Sequence, residues 1–105
     1  MSQEIRVLYA NNQEEIEIRT IPNTLKALQE LVGGYIETIS LTGSRVLIVN
    51  EEGILRGMLL NRLVRDDNRV MTLYGPIVLA RFKGDEFTSC TWSDLDWFRH
   101  NSTEV

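Results

Sequence analysis

Apolar and polar positions alternate at the start of the chain and then change period. Ile5 to Ala10, IRVLYA, is β-branched and aromatic, and EEIEIRT beyond it sets Ile16 and Ile18 between Glu15, Glu17 and Arg19. With Asn11-Asn12-Gln13 between them as turn chemistry, the two runs predict an opening hairpin whose second strand has one wet face. Pro22 breaks the alternation. Asn23 or Thr24 then stands where a helix cap belongs, and Leu25, Leu28, Leu31 and Val32 recur at helical spacing until Gly33. That spacing predicts one short amphipathic helix packed on a sheet. Period two returns with Tyr35, Glu37, Ile39 and Leu41 on one face, and Thr42-Gly43-Ser44 turns the chain back.

Arg45 to Asn50, RVLIVN, has an unbroken apolar middle, which suits a central strand covered on both faces. Glu51-Glu52-Gly53 follows as a turn. From Gly57 to Val64, GMLLNRLV, the period fits a short helix and an irregular excursion equally, so residues 57–65 receive no assignment. Asp66-Asp67-Asn68 reads as a turn, Val70 to Tyr74 as a strand, and Ile77 to Phe82, after Gly75-Pro76, as another strand of central character. Near the end, the Thr91 hydroxyl can cap a helix while Asp94 reaches back toward the cap, and Leu95 and Phe98 then face inward with Trp92. The elements add up to an α+β fold, a mostly antiparallel β-sheet with one short helix in the first half and one C-terminal helix.

Composition narrows the class. The 105 residues, 43% apolar and 25% charged, suit a single domain spanning 1–105, with an ordered core at about 4–99 and a polar tail at 100–105 that frays. No apolar run approaches the length of a membrane span, and Met1-Ser2-Gln3-Glu4-Ile5 lacks the build of a secretory signal, so no membrane contact and a cytoplasmic location are expected. A lone cysteine, Cys90, and a lone histidine, His100, leave no thiolate–imidazole metal cluster, and no metal or other cofactor is expected. A net charge of -4 is the wrong sign for holding a nucleic acid polymer. A domain this small gains from a shared interface, which predicts a homo-oligomer.

The motifs that look chemical mostly resolve into structure. A phosphate loop sets its glycines before a helix, whereas Gly33-Gly34 follow one, where a residue of positive φ closes the helix. Cys90 lies near a helix start but reads as a small semi-buried cysteine. The acid pairs sit in turn signals, where carboxylates are ordinarily solvated. No catalytic residue is assigned and no enzyme is expected. Asn101-Ser102-Thr103 matches a glycosylation acceptor by accident, and Thr103-Glu104-Val105 resembles a short C-terminal ligand.

One stretch departs from the acidic character of the chain. Between Gly53 and Arg65 there are three arginines, Arg56, Arg62 and Arg65, and no acid. Guanidinium forks match phosphate geometry, Asn61 can add amide recognition of a base or ribose, and Tyr35 or Tyr74 can stack on a ring. The competing reading pairs the same arginines with Glu51, Glu52, Asp66 and Asp67 at the surface.

The runs IRVLY, NTLKALQELVGGYIETISL, LIVNEEGILRGMLLNR and LYGPIVLARFKGDEFTSCT resemble a domain-of-unknown-function family of small proteins from phages, plasmids and conjugative elements of bacteria. The likeness runs from about Ile5 to Phe98 and departs at Met58-Leu59-Leu60, where the family pattern implies a proline-containing stretch. The resemblance implies an accessory role in counter-defence and carries no catalytic residue. Two mechanisms fit that context. One is sequestration of a small nucleotide signal by Arg56, Asn61, Arg62, Arg65, Tyr35 and Tyr74. The other is obstruction of a host or phage protein through an exposed apolar and acidic surface, with no small ligand.

Overall fold

A computed structural model describes residues 3–12 and 14–104; Met1, Ser2, Gln13 of the first turn and Val105 of the terminal tripeptide lie outside the described residues. The opening hairpin forms from β1 (Glu4–Ala10) and β2 (Glu17–Pro22), with Val7 opposite Arg19, but β2 does not follow the expected alternation: Ile18 is 46% exposed and Ile21 is the residue it buries. Helix α1 (Leu25–Val32) begins at Thr24, whose hydroxyl accepts from the Ala27 N–H at 3.1 Å, and buries Leu28 and Val32. Strands β3 (Ile36–Ser40) and β4 (Arg45–Asn50) follow, then β5 (Leu60–Asp66), β6 (Arg69–Tyr74), β7 (Ile77–Lys83), β8 (Glu86–Thr88), α2 (Trp92–Asn101) and β9 (Ser102–Glu104).

The strands make two sheets, and every pairing among the described residues is antiparallel. The larger is six-stranded with the order β2-β1-β7-β4-β3, β8 joining on β7; the smaller is three-stranded, β6-β5-β9. Period-two side chains in the central strands split the core in two. Val46, Ile48, Val78 and Ala80 face α1, while Leu47, Val49, Ile77 and Leu79 face the small sheet and Phe98 of α2. The continuous apolar runs of β4 and β7 thus mark strands covered on both sides.

Gly33 and Gly34 end α1 for separate reasons. Gly33 adopts φ +80°, the left-handed conformation. At Gly34 a Cβ would stand 2.9 Å from both the Asn50 amide and the Arg56 guanidinium, two groups that cap the helix by donating to the Val32 and Gly33 carbonyls. A Cβ on Gly33 would meet nothing nearer than Met58 Cε at 3.8 Å, so Gly33→Ala tests backbone strain alone. It is expected to cost about 1–2 kcal/mol, read as a lower urea midpoint at unchanged slope.

Two further expectations need correction, and one unassigned stretch is resolved. Residues 100–105 are not a frayed tail as far as they are described: α2 continues to Asn101, and β9 pairs Ser102 with Val64 and Glu104 with Arg62. Trp92 does not face inward; it is 75% exposed, and Trp97 packs against the core instead. The unassigned stretch 57–65 is neither a helix nor an excursion throughout, because the turns at 51–57 give way to β5.

Candidate functional site

The fold disperses the residues expected to hold a nucleotide. Arg56 lies at the surface with Nη1 2.8 Å from the Gly33 carbonyl oxygen, complementing the negative end of α1. Arg65 is exposed on β5 and enters no ion pair among the described residues. Tyr35 is 69% exposed beyond the double glycine. None of Arg56, Arg62 and Arg65 pairs with Glu51, Glu52, Asp66 or Asp67; it is Arg69 that binds Asp66, at 3.1 Å.

Asn61 and Arg62 are brought together, but in the interior. The β5–β6 register shifts between Leu60 and Arg62, a bulge that leaves Asn61 without an opposite number and turns both residues inward. Asn61 Nδ2 donates to the carbonyls of Ala10 and Gly75 at 2.9 and 2.8 Å. Its Oδ1 accepts from Arg62 Nε at 3.1 Å. Arg62 also donates to the Glu14 carbonyl and lies over the Phe98 ring. Burial pulls its pKa down, against the opposing pull of Glu104 on β9. The cleft beside it carries Glu14, Glu15 and Glu104 with Arg99, a balance unsuited to an anion.

Cys90 is buried, and desolvation, with Asp94 nearby, pushes its thiol up to about 11, so the thiol form prevails near neutral pH. Among the described residues no group of three or more His, Cys, Asp and Glu side chains could hold a metal ion. No helix among the described residues is long and apolar enough to cross a membrane.

A different site emerges where the edge strand of each sheet approaches the other. Between β3, the end of β4, the loop after it and β6 lies a groove of about 480 Å³. Its apolar surface comes from Ile39, Val49, Met71 and Leu73, with Tyr74 alongside. Glu37, Glu51 and Glu52 stand in its lining with no lysine or arginine, and their carboxylates enter no ion pair or hydrogen bond among the described residues. Ile54 and Leu55 extend the apolar surface outward at 71% and 86% exposure. Of the residues expected at a site, only Tyr74 is here. Glu51-Glu52-Gly53 reads as a solvated turn in sequence, and the only prior signal for the groove is the apolar pair Ile54-Leu55 directly after it.

A profile of the domain of unknown function DUF3846 matches residues 5–101. No curated protein and no solved structure matches the chain. The matched span takes in both helices, β2 to β8, nearly all of β1 and the whole groove, stopping short of β9, and the chain belongs to the DUF3846 family.

Proposed function

We propose that the protein is a non-catalytic protein-binding module, an inhibitor or adaptor that holds a basic and apolar segment of a partner in the groove between β3 and β6. The observation that carries this reading is the lining itself: an apolar floor joined to Glu37, Glu51 and Glu52 with no compensating cation. Such a surface complements lysine or arginine side chains flanked by aliphatic ones. It repels phosphate. Sequestration of a small nucleotide has weaker support, because Asn61 and Arg62 already serve the interior and Arg56 caps a helix. The resemblance to accessory proteins of mobile elements supports a partner in a bacterial cytoplasm and a counter-defence role exerted by occupying that partner's surface.

The test uses a soluble decapeptide in which lysine and valine alternate along one strand face with threonine between them (Lys-Thr-Val-Thr repeated), followed by fluorescence anisotropy. Binding is expected, weakening with salt. Reversing Glu51→Lys and Glu52→Lys together should weaken it at least tenfold, since both carboxylates are free to face the ligand. Equal affinity in the double variant would remove the groove from consideration. So would a nucleotide that raises the melting temperature of the parent but not of Arg56→Ala.

A further inference from the structure

The main chain of β3 is half used. Leu41 N–H donates to the Arg45 carbonyl at 2.8 Å, and Glu51 N–H donates to the Tyr35 carbonyl at 2.9 Å. In an antiparallel ladder this direction alternates residue by residue, so Tyr35, Glu37, Ile39 and Leu41 turn their main-chain groups toward β4. Ile36, Thr38 and Ser40 turn theirs away, toward the open edge of the sheet. The side chain of Arg69 confirms the direction, for its Nη2 lies 2.7 Å from the Ser40 carbonyl oxygen and closes that end. The N–H and C=O groups of Ile36 and Thr38 are left without a partner among the described residues. β3 is the last strand on its side of the large sheet.

Resting on the protein-binding reading above, we propose that the partner segment binds as an added β-strand on β3, pairing its main chain with Ile36 and Thr38. The side chains of β3 then set its sequence. Glu37 and Ile39 both face the groove. Cross-strand neighbours on that face therefore want a basic residue beside Glu37 and an apolar one beside Ile39, two positions apart. Glu51 and Glu52 gather at the Glu37 end because Ile36 is opposite Asn50, immediately before them. The basic residue belongs at that end, and the apolar residue at the end where Met71 contributes to the floor.

The experiment compares two N-methylated forms of the same decapeptide, each blocking alternate main-chain N–H groups. One form blocks the groups directed at β3 and should bind at least tenfold more weakly. The other blocks only outward groups and should bind like the parent peptide. On the protein, Thr38→Pro removes an N–H that points to the open edge, a position where proline is tolerated, and should weaken the parent peptide to a similar extent. If both methylated forms bind alike, strand addition is wrong and the groove reading survives. If no form binds, the parent peptide included, or if Glu51→Lys with Glu52→Lys leaves its affinity unchanged, both fall together. If the protein is instead a dimer in sedimentation that Thr38→Pro dissociates, the edge belongs to a second copy and the proposal is overturned. The methylated peptides decide the matter even should Thr38→Pro fail to fold.

Discussion

Replacing Asp94 with alanine is expected to lower the unfolding free energy by about 3 kcal/mol, toward the low end for breaking a buried ion pair. The carboxylate is wholly buried and holds two arginines at once. Arg81 approaches it with Nε at 2.7 Å and Nη2 at 2.9 Å, and Arg45 with Nε at 2.8 Å. Its Oδ2 also accepts from the Thr91 N–H at 2.7 Å, which fixes the start of α2. One side chain thus fastens α2 to β4 and β7. The loss stays near the low end because Arg45 and Arg81 remain 15% and 26% exposed and water reaches them once the carboxylate is gone. Urea unfolding reads the effect directly, and the melting temperature should drop by at least about 10 °C. Arg45→Ala should cost less, since Arg81 keeps both of its bonds to Asp94.

The same carboxylate sets an acid limit. Burial by itself would raise the pKa of Asp94, but the hydrogen bonds from Arg81, the Thr91 N–H and Arg45 outweigh it and hold the group below its ordinary range. Asp66 behaves alike: burial opposes, while the hydroxyl and N–H of Thr42 and the guanidinium of Arg69 prevail. Both groups bind protons less readily folded than unfolded. Their contribution is therefore complete above the unfolded aspartate value of about 3.9 and is lost as pH falls through the lower folded values. Asp94→Ala should accordingly flatten the loss of stability below about pH 4.

Periodicity was a sound guide where side chains alone decide the structure. The two-sided apolar runs of β4 and β7 became central strands, and the leucine spacing before Gly33 became α1 with the expected caps. It misled where the main chain or a single displaced residue decides. β9 is polar and pairs through backbone bonds that hydropathy does not record. The capping arrangement at Thr91 sets the phase of α2, leaving Trp92 in solvent and turning Leu95 and Phe98 inward. The arginines were legible as a charge cluster but not as a site. A strand and a loop send neighbours in different directions, so Arg56 reaches a helix end, Arg62 the interior and Arg65 the solvent. The groove draws on residues 37 and 39, 49–55 and 71–74, three stretches that only the pairing of edge strands brings together.

Asn61→Ala is expected to cost about 2–4 kcal/mol, because it strands several buried groups at once. The amide donates to the Ala10 and Gly75 carbonyls at once, and so joins the end of β1 and the approach to β7 to the small sheet. Arg62 Nε loses its acceptor in the same step. Asn61→Asp separates hydrogen bonding from packing: it keeps the volume and the acceptor for Arg62, but sets oxygen against two carbonyl oxygens. At neutral pH it should therefore destabilise at least as much as alanine. A loss below about 0.5 kcal/mol in either variant would show that the bulge does not depend on this amide. The measurement also bears on function. If Asn61 is a strut between sheets, its variants should bind the decapeptide with parental affinity at temperatures where they remain folded. A ligand-contacting asparagine would instead lose affinity before stability. The bulge that buries Asn61 and Arg62 withdraws them from any surface site, and in doing so it ties the small sheet to β1 and β7, so that β6 stands opposite β3 as one wall of the groove.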